Sequence, residues 1–66
     1  MPKNKWVNDN IYSPSKDGMY LVYYYDSYTV FERCDGEWLD RDCRIVTEDL
    51  DKLWWMEFPE PPKEAL

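Results

Sequence analysis

The seven residues Met19-Tyr20-Leu21-Val22-Tyr23-Tyr24-Tyr25 decide how this chain is read. All are apolar or aromatic, and Tyr and Val favour the pleated, half-buried setting of a strand. Turn formers flank the run, Lys16-Asp17-Gly18 before it and Asp26-Ser27 after it, as expected of a strand between two reversals. Because the run is apolar on both faces, it reads as a central strand, or as one whose second face is covered by the N-terminal arm.

Working toward the C-terminus, Asp26-Ser27 predicts a tight turn and residues 28–34 a second strand. Alternation puts Tyr28, Val30, Glu32 and Cys34 on one face and Thr29, Phe31 and Arg33 on the other. Asp35-Gly36 is the strongest hairpin signal, since both residues tolerate the positive φ of a type I′ turn. A third strand over residues 37–40 would point Trp38 and Leu39 to opposite sides. A turn at Arg41-Asp42 then leads to a short strand over residues 43–46. Thr47-Glu48-Asp49-Leu50 suits one helical turn, with Thr47 as cap and the acids near the positive end of the dipole. Residues 54–58 read as the closing strand, stopped by Pro59.

Toward the N-terminus, residues 11–18 form a connection in which Pro14 fixes one dihedral and lacks a donor. Trp6-Val7 is either a short strand or the aromatic anchor of an extended arm. The expected fold is mainly β: a small twisted antiparallel sheet of three to five short strands, with a single helical turn before the last. Residues 1–58 form one domain including the N-terminal arm, and residues 59–66 a Pro-rich extended tail.

Size and charge narrow the function classes. A chain of 66 residues buries a thin core. Its four Trp, six Tyr and two Phe compensate, each covering roughly 150–250 Å² when enclosed. Eight Lys plus Arg against 14 Asp plus Glu give a net charge of −6, which argues against a module that grips phosphates and for a partner with a basic surface. No apolar run approaches the ~18 residues of a membrane span, and none follows Lys3 and Lys5 as a signal would. The expected location is the cytoplasm, with no membrane partner. Cys34 and Cys43 are too few for a disulfide-stapled miniprotein, and without His they make no zinc set. No cofactor or metal is expected.

Three groups of residues are candidates for contact. In a strand Trp54 and Trp55 point to opposite faces, so one can anchor the core while the other meets a partner; alternatively both are buried between sheet and tail. Tyr20, Tyr23, Tyr24, Tyr25 and Tyr28 are sheet packing, an aromatic contact surface, or a base-stacking platform that lacks the usual cations. Asp35, Glu37, Asp40 and Asp42, then Glu48, Asp49 and Asp51, form a solvated surface or a face for Lys and Arg of a partner protein. Asp35 and Asp42 do not fit a calcium-binding EF-hand loop. The partner-binding set is therefore Trp54, Trp55, Glu48, Asp49, Asp51, Asp40 and Asp42.

Across most of its length the chain resembles the small phage and prophage domain family of unknown function DUF551. The likeness rests on Trp6-Val7, on Ser13-Pro14-Ser15-Lys16-Asp17-Gly18 leading into Leu21-Val22-Tyr23, on Gly36-Glu37-Trp38, and above all on Trp55-Met56-Glu57-Phe58-Pro59-Glu60-Pro61-Pro62. The chain departs from that pattern at Asn8-Asp9-Asn10 and in its acidic connection over residues 47–52. The resemblance implies a phage-related origin, and with it the host cytoplasm as the location, and a small β-rich unit, and carries no catalytic residues.

Without His as a neutral-pH base or a phosphate-cradling glycine loop, no enzymatic activity is expected. The sequence favours a non-catalytic acidic protein-interaction module, a phage accessory factor binding or inhibiting a host protein. The alternatives are a structural or homo-oligomeric assembly component, and a nucleic-acid mimic occupying a basic cleft; direct nucleic-acid binding is disfavoured.

Overall fold

A computed structural model describes residues 5–59. The expected tail lies, Pro59 apart, outside the described residues. Six strands form one sheet: β1 (Val7–Asn8), β2 (Gly18–Tyr24), β3 (Ser27–Cys34), β4 (Glu37–Leu39), β5 (Ile45–Val46) and β6 (Trp54–Met56), with a 3-10 turn at Leu50–Lys52. The spatial order is β1-β6-β2-β3-β4-β5, and every pairing is antiparallel. The architecture is the mainly β one expected, with one strand more than the upper count.

The run that opened the reading is the centre of the sheet, with β3 on one side of β2 and β6 on the other. The first hairpin turns at Tyr25 and Asp26 (φ 51° and 60°), one residue earlier than Asp26-Ser27. This register sets Tyr23 opposite Tyr28 and Tyr20 opposite Phe31. Aromatic cross-strand pairs contribute roughly 0.2–1 kcal/mol each, enough to offset much of the strain of a non-glycine residue in the left-handed region. Tyr25 also meets Tyr24 edge-on, ring centroids 4.6 Å apart. Asp35-Gly36 makes the predicted second hairpin, both at positive φ.

One face of the sheet holds the core. Tyr20 and Val22 from β2, Phe31 from β3 and Trp38 from β4 are buried there, together with Leu53. Tyr20 meets Trp38 and Trp55 edge-on at 5.9 and 5.3 Å, the geometry aromatic quadrupoles prefer. Arg33 lies over the Trp38 ring at 5.1 Å. Both long connections cross this face. The first, between β1 and β2, brings Asp9 and Pro14 into buried positions. The second, between β5 and β6, inserts Leu53 completely and packs Leu50 against the cluster.

Backbone and side-chain bonds tie these covers down. The Asp9 amide donates to the Leu53 carbonyl at 2.9 Å, and Asn8 Nδ2 donates to the Asp51 carbonyl at 2.8 Å. Tyr20 Oη donates to the Lys16 carbonyl and Trp55 Nε1 to the Tyr12 carbonyl. The helical turn starts later than the Thr47 cap predicted: Asp49, at φ 53°, is its N-cap and makes no side-chain cap bond. Only three residues follow before Leu53 extends into β6, so i→i+3 bonding suffices.

Candidate functional site

With both connections on the core face, the other face of the sheet is left to its own side chains. Residues paired across strands project to the same side, so Met19, Leu21 and Tyr23 of β2 stand beside Glu32, Val30 and Tyr28 of β3. The series continues through Leu39 and Ile45 on one flank and Met56 and Trp54 on the other. Glu32 is the one charge among these, and Glu37, paired with Cys34, adds a second at the end of the same face. Tyr28 is 77% exposed, Met19 53%, Ile45 52% and Trp54 40%, a large apolar exposure for so small a chain.

Four rings gather at one end of this face. Trp6, just ahead of β1, lies 6.3 Å from Tyr23 and 6.1 Å from Tyr28, at interplanar angles of 58° and 43°. Tyr23 and Tyr28 are 4.9 Å apart and tilted by 53°. Trp54, in register with Tyr23, completes an open concavity of about 270 Å³ lined by these four residues. Tyr23 Oη donates to Asp26 Oδ1 at 3.3 Å. The Asp26 charge pushes the Tyr23 phenol above its ordinary value, with desolvation a smaller cause.

Of the two tryptophans singled out from sequence, Trp54 is the exposed one and Trp55 is committed to the core. Trp54 is 40% exposed, and the tail invoked by the alternative in which both are buried lies outside the described residues. The acids divide between the faces. Glu48, Asp49 and Asp51 are exposed on the connection that covers the core. Asp40 belongs to the open face, in a groove of about 420 Å³ lined by Met19, Val30, Glu32, Asp40, Arg41 and Cys43. Its carboxylate is engaged: Oδ1 accepts from the Asp42 and Arg44 amides at 2.8 and 3.0 Å, shaping the reversal into β5. Asp42 is exposed in that same reversal.

Two features escaped the sequence reading. Asp9 stood out only within Asn8-Asp9-Asn10 as a departure from the family pattern, yet it is buried, its Oδ1 accepting from Trp38 Nε1 at 3.0 Å and from Ser13 Oγ at 2.9 Å. Trp6, expected with Val7 as a short strand or as the aromatic anchor of an extended arm, lies just ahead of β1 and is one wall of the aromatic concavity. At the opposite end of the sheet, Asp17, Cys34 and Asp35 bring potential ligand atoms within 4.8 Å of one another. Asp17 Oδ1 already accepts the Asp35 amide at 3.2 Å. Asp35 first, then desolvation and the charges of Asp17, Glu32 and Glu37, hold the Cys34 thiol above its ordinary value. Both cysteines are free.

A further concavity on the core side, about 430 Å³ with Tyr12, Pro14, Lys16, Tyr20, Trp55 and Glu57 among its walls, lies under the first connection. Its Tyr20 and Trp55 rings are occupied by core contacts, and the Lys16 and Tyr12 carbonyls by the bonds from Tyr20 and Trp55. The open sheet face therefore remains the principal candidate. No family model, no curated protein and no solved structure matches the chain, and the likeness to DUF551 rests on the quoted residues alone.

Proposed function

We propose that this protein is a non-catalytic protein-interaction module that docks through the open face of its sheet onto a partner with a basic surface. The observation that carries this reading is the asymmetry of the two faces. Both connections are spent covering one side, while the other presents Trp54, Tyr28, Met19 and Ile45 to solvent. Interfaces draw their affinity from such aromatic and aliphatic anchors, with charge steering the approach. A net charge of −6 favours a cationic partner and opposes stacking two copies face to face. The edge strands β1 and β5 have two residues each, which disfavours assembly by adding strands at the edges.

Affinity capture from a host-cell lysate tests the reading when run on matched variants. A saturable partner should be retained by the wild-type chain, by Ile11→Ser on the covered side, and by Asp49→Asn/Asp51→Asn. It should be lost from Tyr28→Ser/Ile45→Ser. Loss confined to the Asp49/Asp51 variant would move the interface to the covered side and end the proposal. Sedimentation of the pure protein across concentration addresses the rival: a stable oligomer dissociated by Tyr28→Ser/Ile45→Ser would assign the face to a second copy.

A further inference from the structure

We infer that the concavity of Trp6, Tyr23, Tyr28 and Trp54 is a receptor for an organic cation, and that its occupant is an arginine side chain projecting from the basic partner. The inference rests on the open-face reading and gives it a chemical anchor.

The composition of the walls is the first argument. Ligand pockets ordinarily mix apolar side chains with a few polar groups that fix orientation; here all four lining residues are aromatic. The negative face of a π system attracts a cation positioned within about 6 Å of the ring centroid. Rings tilted at 43° to 58° to one another form a curved wall, so one charge can contact several of them.

Electrostatics at the rim supply the second. Asp26 accepts the hydroxyl of the lining residue Tyr23, so its charge lies one hydrogen bond from the wall and would add a Coulombic attraction to a cation bound there. The chain itself shows the preference: its own Arg33 lies over Trp38 at 5.1 Å and Lys52 Nζ over Tyr25 at 5.6 Å.

Shape selects among cations. The concavity is open, with Tyr28 77% exposed and both tryptophans about 40% exposed (Trp6 38%, Trp54 40%). A planar guanidinium stacks on such a surface and keeps its edge N–H groups free for Asp26 and water. A compact ammonium gains most where it is enclosed on all sides.

The test is an NMR titration of the full chain, following the indole N–H signals of Trp6 and Trp54. N-acetylarginine methylamide is compared with the citrulline analogue, which has nearly the same shape without the charge. The expected result is saturable binding of the arginine probe, on the order of 1 mM for a ligand of this size, and binding of the citrulline probe weaker by about fivefold. Trp54→Leu, at a partly exposed position, should weaken the arginine probe by a similar factor. Asp26→Asn, which preserves the turn, should weaken it by about two- to threefold, with the difference shrinking at high salt.

Equal binding of the two probes, or binding indifferent to both Trp54→Leu and Tyr28→Thr, would overturn the inference. Tighter binding of tetramethylammonium than of the arginine probe would do so too, by reassigning the walls to a small quaternary ammonium ligand. The two readings fail separately. Partner capture that survives Trp54→Leu removes the cation receptor and leaves the open face in place. Arginine binding by a chain that captures no partner does the reverse.

Discussion

Removing the Asp9 carboxylate should be among the most damaging single changes to this fold, although the residue sits in a polar stretch of sequence. Asp9 is 9% exposed and Trp38 1% exposed, and the bond between them spans 29 residues of sequence. Asp9→Ala leaves the indole N–H buried with no acceptor, at a cost of about 1–3 kcal/mol. Ser13, released from the same oxygen, is exposed and can turn to water. A cost near 2 kcal/mol corresponds to a fall in Tm of roughly 8–16 °C for a chain of this size. Urea denaturation followed by circular dichroism measures it, on Asp9→Ala, Trp38→Phe and the double variant. Once Trp38→Phe has removed the donor the orphan penalty no longer arises, so Asp9→Ala should cost about 2 kcal/mol less than it does alone. A coupling energy below ~0.5 kcal/mol would refute the reasoning. Asp9→Asn, which keeps an acceptor oxygen at the site, should lose less than half of what Asp9→Ala loses, and keeps the comparison readable if the latter unfolds.

Three further outcomes can be measured. Leu53→Ala empties a position that is 0% exposed and should cost about 2.5–4 kcal/mol, against less than ~0.5 kcal/mol for Ile11→Ala at 74% exposure; thermal melts of both variants decide it. Desolvation raises the Tyr20 and Tyr24 phenols above the ordinary value near 10, with Glu57 and Asp17 adding at Tyr20, and Asp49 and Glu48 at Tyr24. The unfolded chain thus loses these protons first as pH rises, so stability is whole below that value and declines as pH climbs through the raised folded values; a plateau in urea midpoint across that window would contradict the shifts. Because neighbouring carboxylates hold the Cys34 thiol up, Asp35→Asn, tolerated at φ 52°, should speed iodoacetamide alkylation of Cys34, with the gain fading at high salt; an unchanged rate would remove Asp35 as the chief cause.

Local chemistry made part of this structure readable in advance. The run through Tyr20 and Val22, the Asp35-Gly36 reversal and the opposed directions of Trp54 and Trp55 follow from propensity, turn geometry and alternation, which act over a few residues. Tyr25 as a turn residue does not, because its backbone is fixed by the pairing of Tyr23 with Tyr28 and Tyr20 with Phe31 rather than by its own preference. The insertion of β6 between β1 and β2 is a pairing between the two ends of the sequence, and no local signal announces it. The same holds for Asp9, whose burial depends on Trp38. Tyr23, Tyr28 and Trp54 were each visible as candidates, yet their meeting with Trp6 required the strand order. The acidic residues illustrate the converse: composition suggested one face, whereas the two connections distribute them over both sides, and Asp40 shapes a turn.

The position of β6 also sets a timetable for the growing chain. Among the described residues strand β1 has β6 as its only strand neighbour, so β1 has no strand to pair with until β6 has been made. Leu53 and Trp55, which close the core over Tyr20 and Val22, arrive with it. The hairpins of β2, β3 and β4 until then have only the first connection as cover, and this sheet closes only after residue 56 is free. An interrupted translation product lacking those residues would lose both the seal on the core and the anchorage of its N-terminal strand, leaving an aggregation-prone hairpin for the cell to degrade.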